Sequence, residues 1–170
     1  MGISLLVALW FWLRQSETLA AVNRKAFTTE VFVTGFKEIL SNKVTMGYTL
    51  VSGLIVGSFL VYLSSSQQIF QEQYGLKDAF PYIFAGLAIS VGAAILSNAT
   101  LVMRFGMRKI VNVATIGFFL SSVVYVILFY NVPNPKVWVL ITFFAIQFFA
   151  IGFLFGNLRA LAMEPVGHIA

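Results

Sequence analysis

Val137-Trp-Val-Leu-Ile-Thr-Phe-Phe-Ala-Ile-Gln-Phe-Phe-Ala-Ile-Gly-Phe-Leu-Phe-Gly-Asn-Leu158 contains no Asp, Glu, Lys or Arg. A helix needs roughly 20 such residues, at about 1.5 Å each, to cross a hydrocarbon layer of about 30 Å. Three blocks of the same kind precede it: Val44 to Gln71, Ala79 to Met103 and Ile110 to Pro135. In a chain of 170 residues, four such blocks leave little room for a globular part. The expected fold class is all-α, a polytopic membrane protein with four full transmembrane helices.

The bulk numbers agree with this reading. Charged residues make up 10% of the chain, against about 25% in a soluble domain. Mean hydropathy is +0.91. The 18 Phe suit a lipid-facing or helix-packing surface better than a water-facing one. With no Cys, a disulfide framework and a thiolate nucleophile are excluded. The formal charge of +5 does not point to nucleic acid, because the basic residues flank the apolar blocks instead of forming one stripe.

The first thirteen residues, Met1 to Leu13, are apolar but span only about 20 Å as a helix, too little to cross. They lack the basic start and small-residue cleavage site of a signal peptide. They read as the tail end of a longer helix, the alternative being a short interfacial anchor. Arg14 to Lys43 is the one sizeable polar stretch, where an amphipathic helix on a membrane face over Thr28 to Leu40 competes with a structured connecting loop. The expected spans are then Thr45 to Ser64, Phe80 to Met103, Ile110 to Tyr130 and Lys136 to Leu158. The run Ser64 to Gln68 leads out of the first, and Pro133 and Pro135 close the third. Gly53 with Gly57, and Gly152 with Gly156, make GxxxG steps, the first marking a close-packed face.

Orientation follows from the basic residues. A face that holds the Arg14 to Lys43 stretch collects Arg14, Arg24, Lys25, Lys37, Lys43, Arg104, Arg108, Lys109 and Arg159, whereas the other holds Lys77 and Lys136. The positive-inside rule makes the richer face cytoplasmic. Trp10 and Trp12 at that face, and Tyr130 and Trp138 at the other, stand where interfacial aromatics are expected.

No catalytic constellation is present, so no enzyme and no cofactor is expected. The interiors of the spans lack acids and bases, so neither a buried ion pair nor a metal cluster is available at membrane depth. Glu164 stands four residues before the single His168, a spacing that places both on one helix face, but two groups fall short of a zinc set of three or four ligands. The more notable uncharged polar residues within the blocks are Tyr48, Ser52, Ser58, Tyr62, Ser90, Asn98, Thr100, Asn112, Thr115, Ser121, Ser122, Tyr125, Thr142, Gln147 and Asn157. Helix-to-helix hydrogen bonding is one role for them, and lining a solute path is the other. Tyr48, Ser52, Tyr62 and Gln147 are the candidates for such a path. In Met103-Arg-Phe-Gly-Met-Arg-Lys109, three bases fill a connection so short that Gly106 must ease a tight turn. The turn serves as a topology anchor, or else Arg104 and Arg108 hold helix ends or a carboxylate.

At three places the chain resembles the major facilitator superfamily, specifically its Bcr/CflA-type drug efflux branch. Arg14-Gln-Ser-Glu-Thr-Leu19 resembles that branch's arginine followed by Pro-Glu-Thr-Leu, with Ser16 in the proline's place. Arg104, Gly106, Arg108 and Lys109 match the superfamily's short loop motif Asp-Arg-x-Gly-Arg-Arg, and Met103 stands in the acidic position. Asn157 to Ala170 resembles the branch signature Asn-Ala-x-Ala-Leu-Ala-x-Glu-Pro-x-Gly-His-x-Ala, with Glu164, Pro165, Gly167 and His168 matched.

The resemblance implies a partial major-facilitator-type helix bundle. Residues 1–13 would be the end of helix six, 14–43 the central cytoplasmic loop, and 44–170 part of the C-terminal transporter domain, carrying helices seven to ten. It implies a multi-pass protein of the bacterial inner membrane in contact with lipids, and a proton-coupled exporter of drugs or small metabolites. A second chain supplying the missing helices would be a partner, and no nucleic acid would be. The competing expectation is a small membrane scaffold or regulatory protein without transport activity.

Overall fold

Each of the four uncharged blocks builds a long helix in the computed structural model, which describes residues 2–15 and 28–169. The chain divides into two compact units, Met1–Phe36 and Lys37–Ala170. Helix α1 is Gly2–Arg14, with every side chain exposed, and α2 is Thr29–Ser41, a helix where a loop was the alternative. The four long helices are α3 (Lys43–Gln67), α4 (Phe80–Phe105), α5 (Met107–Phe129) and α6 (Val137–Met163). No strand occurs among the described residues. The protein is all-α and polytopic, as its hydropathy pattern demands.

Local chemistry explains where these helices begin and end. Asn42 caps α3, its side-chain oxygen accepting from the Val44 and Thr45 backbone N–H groups at 3.1 Å each. The Ser64 to Gln68 run does not lead out of the span as expected. Ser64 and Ser65 donate to the Val61 carbonyl at 2.9 and 2.6 Å, so their hydroxyls are satisfied inside the helix. The chain continues as a wider π-helical segment, Gln68–Gln73. Gly75, at φ 68°, then turns it, and the Leu76 N–H reaches back to the Phe70 carbonyl at 2.8 Å.

Helix α4 opens with Pro81 in its first turn, where a missing N–H costs nothing. Helix α6 extends to Met163, past the expected stop at Leu158, because Ala160 to Met163 are strong helix formers and the next proline is Pro165. A 3-10 turn, Glu164–Ile169, follows.

Helix α6 is the spine of the second unit. It packs against α3, α4 and α5, whereas α4 and α5 touch each other far less than either touches α6. Phe148, Ile151, Leu154, Leu158 and Leu161 are buried along it. The closest approach is at Gly152, where a Cβ would lie 2.6 Å from both the Ala94 Cβ and the Val91 carbonyl oxygen, so only glycine fits. The other glycine step behaves differently. Gly53 and Gly57 meet nothing within 4 Å, because α3 leans on α6 through Ile55, Phe59 and Tyr62 instead. The close-packed face expected there is absent.

The helices alternate in direction, so the connections gather at two ends. Lys43, Arg104, Arg108, Lys109 and Arg159 sit at one, and Lys77 and Lys136 at the other. At the sparser end, Gln73 hydrogen-bonds Asn134, and the Tyr74 hydroxyl donates to the Pro135 carbonyl at 2.7 Å. Burial pushes the Tyr74 phenol above its ordinary range. Tyr130 and Trp138 are exposed at this same end.

Candidate functional site

The basic end is built around one residue. Gly106, at φ 83° and ψ 146°, is the whole connection between α4 and α5, and a side chain there would be strained. This sharp turn places Arg104 and Lys109 beside the Phe105 ring, 5.2 and 5.6 Å from its centroid. Arg108 points elsewhere and donates from Nη2 to Glu164 Oε2 at 3.0 Å. The carboxylate considered for Arg104 and Arg108 is thus held by Arg108, and Arg104 takes an aromatic face.

Glu164 and His168 do not share a face. A 3-10 turn has about three residues per turn, so positions four apart diverge. Glu164 joins α5 through Arg108, while His168 Nε2 lies 2.6 Å from Glu38 Oε1 on α2. Pro165 and Gly167 lie in the turn between them. The two motif stretches, residues 104–109 and 157–170, are therefore joined in space. Met103, in the loop motif's acidic position, is 89% exposed. Of the Arg14 to Leu19 stretch, residues 16–19 lie outside the described residues, as do Arg24 and Lys25.

The four candidate path residues face different surroundings. Tyr62 is buried among rings, with Phe148 at 4.6 Å, Phe144 at 5.1 Å and Phe84 at 6.3 Å between centroids. It borders a cavity of about 330 Å³ between α3, α4 and α6. Its hydroxyl is buried without a hydrogen-bond partner. Ser52 lines a different cleft, with Thr49, Gly53 and Arg159, between α3 and α6. Tyr48 is half-buried against the core. Gln147 turns to α5, where its Nε2 donates to Ser122 Oγ at 3.0 Å, and Ser122 donates on to the Phe118 carbonyl at 2.8 Å.

Several of the other uncharged polar groups are satisfied within their own helices. Ser58, Ser97, Ser121 and Thr142 each donate to a carbonyl one turn back. The amide pair of Asn98 and Asn157 instead joins α4 to α6 at membrane depth. Both residues stood out in the sequence as polar, but only the packing of α4 on α6 pairs them. Among the described residues no group of His, Asp or Glu gathers as a metal set would.

The chain is similar, at 29% identity over 174 residues, to an uncharacterized MFS-type transporter, YdgK, of Bacillus subtilis (strain 168). The alignment takes in all of this chain and 42% of the relative, so the chain spans less than half the length of that curated protein. No solved structure matches it. The Major Facilitator Superfamily matches residues 1–170, the whole chain. Three apolar helices packed on a fourth, a one-residue basic turn and this full-length match make the chain a multi-pass member of the Major Facilitator Superfamily.

Proposed function

We propose that this chain is the helix-seven-to-ten portion of a proton-coupled exporter of the Bcr/CflA drug-efflux branch, carrying drugs or small metabolites out of the cell. In this reading residues 1–13 end helix six, 14–43 form the cytoplasmic connection, and 44–170 belong to the C-terminal domain, with the basic end facing the cytoplasm. The observation that carries it is the 3.0 Å contact of Arg108 with Glu164, which ties the short loop motif to the branch-like stretch that begins at Asn157. Major-facilitator halves rock about a central site near the bilayer midplane, and ion pairs at one end are suited to hold one of the two arrangements. Tyr48, Ser52, Tyr62 and Gln147 are the residues proposed to meet the solute. The spans hold no acid, so a proton-carrying carboxylate belongs to helices outside this chain.

A membrane scaffold is the second reading, and the observation favouring it is the open glycine face at Gly53 and Gly57, a surface for a neighbouring helix. Dye efflux from inverted vesicles separates the two readings. The chain is expressed alone and beside a fragment supplying the absent helices, with and without a proton gradient. Gradient-dependent transport in the paired sample alone supports the exporter. No transport in either, with insertion verified, overturns it in favour of the scaffold.

A further inference from the structure

The two helices joined at Gly106 diverge. Because α4 and α5 each pack on α6 more than on each other, a slot of about 510 Å³ opens between them with α6 as its floor. Small residues keep it empty: Ala114 and Gly117 on α5, and Ala150 on α6. Its rims are apolar and open to the surroundings, with Val113 64%, Ile146 49% and Phe149 44% exposed. On all three helices the lining runs in one direction, from Ser97, Gly117 and Ile146 near mid-span to Phe105, Lys109 and Phe153 toward the basic end. From Lys109 to Gly117 the slot covers about 12 Å of helix rise, close to the depth of one leaflet of a hydrocarbon layer about 30 Å thick.

The mouth of the slot carries charge. Lys109 and Phe105 line the slot there, and Arg104, outside the lining, lies against the same Phe105 ring. Neither makes an ion pair among the described residues, whereas Arg108 is occupied by Glu164. A lysine in the lining and an arginine on the adjoining ring, at the end of an apolar channel, suit an anionic headgroup with a hydrocarbon tail. A transmembrane helix, about 10 Å across with its side chains, would cover the slot without entering it.

We propose that the α4–α5 slot holds one acyl chain of an anionic phospholipid whose headgroup phosphate sits between Arg104 and Lys109. The lipid acts as a wedge, filling the space that the divergent helices leave and fixing their separation. This site does not depend on which solute the protein moves.

Native mass spectrometry of the full chain, released from detergent with added phosphatidylglycerol or phosphatidylcholine, tests the site. The first phosphatidylglycerol is expected to bind more tightly than phosphatidylcholine. Arg104→Gln with Lys109→Gln should weaken it by at least about five-fold, the effect expected of basic residues at an anionic lipid surface, without changing phosphatidylcholine binding. Lys77→Gln, at the opposite end, should change neither. Gly117→Leu should also weaken the first phosphatidylglycerol, because it fills the slot from a position where a Cβ meets nothing within 4 Å. Circular dichroism verifies that each variant keeps its helices. Equal binding of the two lipids, or full phosphatidylglycerol affinity in Gly117→Leu, overturns the proposal and leaves the slot to a protein neighbour.

Discussion

Asn157 Nδ2 donates to Asn98 Oδ1 at 2.7 Å across the α4–α6 interface, and the same amino group donates to the Phe153 carbonyl at 2.9 Å. Asn157 is only 4% exposed, so losing its partner leaves an amide in an apolar interior. A double-mutant cycle on Asn98→Ala and Asn157→Ala, read by reversible unfolding in mixed micelles, should return a coupling of about 0.5–1.7 kcal/mol. Additive single-mutant losses would mean that the two amides do not depend on each other.

Gly152 and Gly57 both belong to GxxxG steps, but they should respond oppositely to a methyl group. Gly152→Ala drives a Cβ against Ala94 and the Val91 carbonyl, and should cost about 1–3 kcal/mol as an overpacked contact. Gly57→Ala meets open space and, by helix propensity, should gain up to about 1 kcal/mol. Thermal midpoints of the two variants in the same detergent decide the matter. Equal shifts would contradict the α4–α6 contact described above.

Tyr62→Phe removes a buried hydroxyl that has no partner. Stability should hold or rise, by up to about 1 kcal/mol, since a polar group without a hydrogen bond is a net cost. If Tyr62 meets the solute in the paired efflux assay, the same variant lowers export while the thermal midpoint does not fall. A clear drop in midpoint would show that the hydroxyl has a structural partner after all.

Arg108→Glu and Glu164→Arg should each loosen the turn over residues 164–169, seen as faster backbone amide exchange there. The double swap should restore slow exchange, because it rebuilds the ion pair with its charges reversed. High salt should reduce the difference between the wild type and the single variants. A double variant that exchanges as fast as either single one would separate the order of the turn from the ion pair.

The sequence made the four spans legible because hydrocarbon thickness and charge leave few alternatives for blocks such as Val137 to Leu158. It also exposed Gly106, since three bases in so short a connection demanded a tight turn. The end of the first span was misplaced because serines look like loop residues, and only the helical backbone shows that Ser64 and Ser65 can bond their own turn. Glycine steps were ambiguous for a similar reason. Spacing locates Gly53, Gly57 and Gly152 equally well, but which of them meets a neighbour depends on how each helix is rotated about its axis. Partners such as Ser122 for Gln147, twenty-five positions apart, follow from that rotation and have no local signal.

Helix α6 is the common neighbour of α3, α4 and α5, yet it is the last of the four long helices in chain order. Synthesis runs from the N-terminal end, so the three earlier helices leave the ribosome before the surface they pack on exists. Asn98 and the aromatic face around Tyr62 must wait, satisfied by lipid, water or the insertion machinery, until Asn157 and Phe148 arrive. Assembly of this bundle is consequently a late event, and a ribosome stalled before residue 137 would leave three inserted helices without their organising partner.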